Sequence, residues 1–125
     1  PVIAKVRGAC VGVGMNFALA ADLIYAAPDA RFSQIFPRIG LSSDGGGAWF
    51  MPRALGYARA FELMATGDML SAEQAERLGL VNAVVPGEAL DAHVAEMAAR
   101  LAAGPAIAIA NTKANLNLGL TGTLA

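Results

Sequence analysis

The chain has 125 residues, 56% of them hydrophobic and only 15% charged, against a usual charged share of about 25%. So little charge leaves a small lone domain short of solvating surface and implies faces buried against partner subunits or further chain. A formal net charge of −1 supplies no basic footprint for nucleic acid or a membrane surface, and a single cysteine, Cys10, excludes an internal disulfide framework and suits a reducing, cytoplasmic setting.

Pro1 enters a strand-like run with no lead-in, which reads as the second half of a longer protein. Val2–Val6 is a short β-branched run and predicts a buried strand. Gly8–Val13 reads as a turn, Gly14–Ala21 as a helix from its Met, Phe, Ala and Leu content, and Leu23–Ala27 as a second strand closed by Pro28-Asp29. Lys5, Arg7, Asp22 and Asp29 break these apolar runs well short of the roughly 18 residues of a membrane span. Ala30–Ser33 is expected to be extended, and Phe36–Ile39, with Pro37, at most the first turn of a helix. Leu41–Gly47 (LSSDGGG) reads as a loop. Helices are predicted over Ala48–Leu55, with Pro52 as a kink, and over Tyr57–Thr66, closed by Gly67-Asp68. Ser71 and Gln74 form a capping-box pattern that opens the next helix, which ends at Gly79. Leu80–Val85 reads as a strand. Glu88–Ala103 is amphipathic, with Leu90, Val94, Met97 and Leu101 at helical spacing. Pro105 opens a last helix to about Leu118, and Thr121–Ala125 is expected to fray. Alternating strands and helices make the class α/β.

Chemistry is concentrated in two stretches. In the first, PVIAKVRGACVGVGMNFALAADL, a strand runs through Gly8, Gly12 and Gly14 into a helix. The first turn of a helix has unpaired N–H donors and partial positive charge, so it can hold a developing oxyanion. An ordinary glycine turn capping a helix explains the same spacing. In the second, IGLSSDGGG, Asp44 is an acid beside the glycines. An Asp after Ser and before Gly is also a common turn residue or helix cap.

The first stretch resembles the signature segment of the crotonase superfamily, the enoyl-CoA hydratases and isomerases. The resemblance continues through Ala30-Arg31-Phe32, Ile39-Gly40-Leu41, Pro52-Arg53, Leu55-Gly56, Thr66-Gly67, SAEQAERLGLVNAVVP and Thr112-Lys113, and so covers nearly the whole chain. It implies a ββα spiral core over residues 1–86 and a C-terminal helical region over residues 87–125 that helps build homotrimers or hexamers. It also implies an acyl-CoA thioester as substrate, with coenzyme A arriving on the substrate, and no separate cofactor or metal. By position, Val13 carries the surviving oxyanion-hole N–H, flanked by Gly12 and Gly14. Family members usually have Gly or Ala there, so Val13 crowds the turn. The N-terminal half of such proteins supplies the other N–H donor.

The family's hydratases place glutamates where this chain has Asn16 and Phe36. Neither an amide nor a phenyl ring can transfer a proton, which argues against water addition by two carboxyl groups. Asp44 matches an acid found in ring-opening epoxyphenylacetyl-CoA isomerases, in many enoyl-CoA isomerases and in a halobenzoyl-CoA dehalogenase. A dehalogenase would also need a nearby His, whereas the one histidine is His93. The resemblance therefore implies an enoyl-CoA isomerase with Asp44 as the single proton carrier. Gly12, Gly14, Asn16, Phe36 and Trp49 line the substrate, Phe36 and Trp49 give Asp44 an apolar setting, and Lys113 meets a CoA phosphate. Arg38 and Arg53 are further candidates for phosphate or intersubunit contacts. Two alternatives remain open: a hydratase, as the family label has it, or a non-catalytic piece that binds acyl-CoA or serves assembly. Asp22 and Asp68 read as structural, Glu62 as a solvated face, Cys10 as packing, and Ser42 and Ser43 as no nucleophile pair, because no His base is near.

Overall fold

A computed structural model describes residues 1–123. The chain climbs as a spiral in which each turn lays down two strands at a corner and then a helical segment. Strand β1 (Ile3–Val6) turns at Gly8 into β2 (Ala9–Val11), and helix α1 (Val13–Leu19) follows. The next turn repeats this with β3 (Leu23–Ala26), β4 (Arg31–Ser33) and a single 3-10 turn at Phe36–Ile39. The turns stack in parallel, Ile3 beside Leu23 and Cys10 beside Phe32. Bonds carry the ladder around the corner, from Ala27 N–H to the Val6 carbonyl (2.9 Å), from Arg31 N–H to Gly8 (2.9 Å) and from Gly12 N–H to Ser33 (2.9 Å). The predicted α/β spiral is therefore present as two three-stranded sheets. Strand β6 (Ala83–Val84) extends the first in the order β1-β3-β6, and β5 (Leu70–Ser71) adds antiparallel to the second in the order β2-β4-β5.

Some boundaries differ from the sequence expectation. Gly8–Val13 contains β2, a strand whose existence depends on pairing with β4 rather than on local composition. The expected strand Leu80–Val85 shrinks to two residues. Leu80 and Val81 instead close α4 (Ala72–Arg77) by donating to the Ala75 carbonyl, and the Asn82 side chain takes the Ile24 N–H at 2.8 Å. The last two positions of the expected frayed tail lie outside the described residues.

Helix α2 (Gly47–Leu55) tolerates Pro52, and α3 (Tyr57–Thr66) follows after Gly56. The capping box forms as read: Ser71 Oγ accepts from Gln74 N–H at 3.2 Å and Gln74 Oε1 accepts from Ser71 N–H at 2.8 Å. Ser71→Ala is expected to cost about 1 kcal/mol, measured as a lower urea midpoint with an unchanged slope. The main core gathers Val6, Met15, Ile24, Phe32, Met51 and Leu63 between the sheets and helices. A second cluster, Tyr25, Ala27, Val85 and Leu90, seats α5 (Leu90–Ala102) on the first sheet. Helix α6 (Ala106–Gly119) leaves Ile107, Leu116 and Leu118 exposed. Among the described residues no helix is long and apolar enough to cross a membrane.

Candidate active site

The glycine turn builds the donor end of α1. Gly12, at φ 56° and ψ −131°, is the N-cap, in a backbone region that residues with a side chain rarely enter. The first intrahelical bond runs from Asn16 N–H to the Gly12 carbonyl at 3.2 Å. The amides of Val13, Gly14 and Met15 precede that bond and point out of the helix end. Val13 itself is exposed, and beneath the turn lies the buried ring of Phe36: a Cβ on Gly12 would stand 3.7 Å from Phe36 Cζ.

The loop carrying Asp44 folds directly onto this turn. A Cβ on Gly45 would stand 2.7 Å from Val13 Cγ2. Asn16, three residues after Val13 on α1, donates from Nδ2 to the Asp44 carbonyl at 2.7 Å. The same carbonyl accepts Gly47 N–H at 3.1 Å, which closes the loop into the start of α2. Asp44 and the candidate oxyanion donor, distant in sequence, are thus neighbours. The side chain of Asp44 is exposed. Of the two apolar residues expected around it, Phe36 packs under the turn and Trp49 is itself 40% exposed.

Asn16 has a different place from the one expected of a substrate contact. It is fully buried, and its amide is engaged inside the protein: Oδ1 accepts from Gln34 Nε2 at 2.7 Å while Nδ2 holds Asp44. Ser43 Oγ donates to Gln34 Oε1 at 3.0 Å and lies 3.4 Å from Asn16 Nδ2. Gln34 and Ser43 were missed as site residues. The available signal was Gln34 itself, a polar amide inside the apolar run FSQIF, which implies a buried partner.

Other candidates fall elsewhere. Trp49 sits on α2 with the Arg53 guanidinium 4.0 Å over its ring, and Arg53 also donates to the Trp49 carbonyl, so both pack on each other. Arg38 stands 4.0 Å from Asp68, and Glu62 pairs with Arg59 at 2.6 Å on a solvated face. Cys10 is buried, and burial pushes its thiol above the usual range. Lys113 makes an ion pair with Asp22 at 2.7 Å, beside an open apolar groove of about 690 Å³ between α5 and α6. Asp22 follows the C-terminal end of α1, whereas the donor amides lie at its N-terminal end, so Lys113 does not join them.

Partial burial pushes the Asp22 carboxyl upward. Hydrogen bonds from Lys113 and from Val2 N–H (2.7 Å) outweigh it and hold the group below the usual carboxylate range. A depressed folded value means the tether is fully present above the unfolded carboxylate value, about 3.9, and is lost as pH falls through the lower folded value. Lys113→Met is expected to lower stability by up to about 1 kcal/mol at neutral pH, and by less at a pH below the ordinary carboxylate range, where Asp22 is protonated. Urea titrations at both pH values measure it.

The enoyl-CoA hydratase/isomerase family model matches residues 1–125. The chain belongs to this family. It is 44% identical over 99% of its length to a Rhodobacter capsulatus protein named "Probable enoyl-CoA hydratase", covering 48% of that protein. It is 40% identical, again over 99% of its length, to the 1,2-epoxyphenylacetyl-CoA isomerase of Escherichia coli K12, covering 47% of it. The crystal structure of an enoyl-CoA hydratase/isomerase from Cupriavidus metallidurans CH34 superposes with a TM-score of 0.95 at 45% identity, over 98% of this chain and 46% of that one. The chain thus spans about half the length of the curated relatives it matches. The crotonase fold expected from the signature segment is the fold observed.

Proposed function

We propose that the complete protein bearing this chain is an enoyl-CoA isomerase that shifts a double bond within an acyl-CoA thioester. The reading is carried by the contact between the Asp44 loop and the Val13 turn, with Asn16 bonded to the Asp44 carbonyl at 2.7 Å and Gly45 against the Val13 side chain. The thioester oxygen accepts from Val13 N–H, with a second donor supplied from outside this chain. Asp44 removes an α proton from a β,γ-enoyl thioester. Charge moves onto the oxygen as a dienolate, which the amide donors stabilise. The protonated Asp44 then returns the proton at the γ carbon, and the double bond emerges conjugated with the carbonyl. One carboxyl group on one face suffices, and residues 16 and 36 offer no second acid. The exposed apolar side chains of α6 support assembly into trimers or trimer pairs, and the single cysteine, Cys10, suits a reducing, cytoplasmic setting.

Hydratase is the second reading, favoured by relatives of that name such as the one from Rhodobacter capsulatus. The two separate in one assay of the complete protein on 3-hexenoyl-CoA and on crotonyl-CoA. Isomerisation of the first with little water addition to the second is the expected result. The reverse pattern makes the protein a hydratase, and no turnover of either leaves an acyl-CoA-binding or assembly piece.

A further inference from the structure

Ser43, Gln34 and Asn16 form a directed chain of hydrogen bonds that ends on the residue proposed to carry the proton. The Ser43 hydroxyl donates to Gln34 Oε1 (3.0 Å), the Gln34 amide donates to Asn16 Oδ1 (2.7 Å), and the Asn16 amide donates to the Asp44 carbonyl (2.7 Å). Asn16 and Gln34 are 0% and 1% exposed. Buried amides carry a heavy desolvation penalty unless paired, and apolar side chains of the same shape can serve stability equally well. What the polar chain adds is direction. The Gln34 NH2 group faces Asn16 Oδ1, so the Asn16 NH2 group is turned toward Asp44. Asn16 and Val13 share one face of α1 at i, i+3. The same short helix therefore presents the oxyanion donor and grips the backbone of the acid.

We propose that Ser43, Gln34 and Asn16 are positioning residues, a latch that sets Asp44 relative to the Val13 amide. The proposal rests on Asp44 being the proton carrier. It concerns placement, and a misplacement of about 1 Å at reacting atoms lowers rates about 10²-fold.

The test uses Ser43→Ala, which removes the first donor, and Gln34→Glu, which keeps the shape but replaces the donor facing Asn16 by an acceptor. Both are made in the complete protein and assayed on 3-hexenoyl-CoA beside Asp44→Asn. The expected result is a kcat lower by about 10- to 100-fold with KM within twofold. Amide exchange of Gly47, whose N–H is held by the Asp44 carbonyl, is expected to quicken at least about tenfold. Kinetics within twofold of wild type in folded variants overturn the latch, as does a rise in KM alone. If only one variant folds, judged by far-UV circular dichroism, that one decides. If neither folds, the cluster is a core element and the proposal fails. Full turnover by Asp44→Asn instead overturns the isomerase reading and with it the latch's part in catalysis. That failure is recognisable because Gly47 exchange still responds to Ser43→Ala.

Discussion

Asp44→Asn is expected to lower turnover of 3-hexenoyl-CoA by about 10²- to 10⁴-fold, the usual range for losing a positioned general acid–base group. The amide is nearly isosteric with the carboxylate, and the Asp44 side chain is exposed, so folding is expected to survive. The bonds that seat residue 44 run through its backbone carbonyl to Asn16 and Gly47, and a side-chain change leaves them in place. Because the substitution removes proton transfer rather than ground-state binding, kcat and kcat/KM should fall together while KM changes little. Steady-state kinetics with matched circular dichroism spectra measure this. Turnover near the wild-type level would remove Asp44 from the chemistry.

The second large effect is expected at Gly47. A Cβ there would stand 2.1 Å from Ser43 Oγ and 2.8 and 2.9 Å from the Asn16 amide atoms. Those atoms belong to the first and last side chains of the polar chain that runs from Ser43 through Gln34 to Asn16, so relief of the clash breaks hydrogen bonds. Overpacking alone costs about 1–3 kcal/mol, and each buried polar group left unpaired adds about 1–3 kcal/mol. Gly47→Ala is therefore expected to lower the denaturation midpoint by an amount equal to several kcal/mol and to reduce activity with it. Gly14→Ala is the matched control. A Cβ at Gly14 meets nothing within 4 Å, so stability there is expected to hold or rise by up to about 1 kcal/mol. Equal effects at both glycines would show that the crowding at Gly47 does not matter.

Much of the local structure was legible because its causes are local. Tyr57–Thr66 was bounded correctly by the glycines that flank it, and Ser71 with Gln74 announced a capping box that the structure contains. The strand at Ala9–Val11 was not legible, since three residues without strong periodicity become a strand only when β4 lies beside them. Leu80–Val85 misled in the opposite direction. Its apolar run reflects burial of Leu80 and Val81 in the core at the end of α4, and pairing with β3 is confined to its second half, where Ala83 and Val84 lie beside Tyr25 and Ala26 and the flanking Asn82 and Val85 N–H groups donate to Ile24 and Ala26.

At the candidate site, residue types were readable and relations were not. The glycine turn and Asp44 could be named from their neighbours in the chain, because turn chemistry and helix starts leave marks within a few residues. Asn16 looked like a substrate contact because its position matched a family glutamate, yet its side chain grips the neighbouring loop. Nor does any local pattern announce the partner of Lys113, which closes on Asp22, 91 positions away in sequence.

By itself the amino-acid order determined the α/β class, the alternation of short strands and helices along the chain, and the presence of an amide-donor turn and one loop acid. These follow from backbone preferences and hydrophobic spacing, which act over short stretches of chain. Tertiary structure alone decided that the acid's backbone meets the donor turn, and that Asn16, Gln34 and Ser43 join them. Hydrogen-bond partners for buried side chains are chosen by which segments packing brings together, and no local pattern encodes that choice.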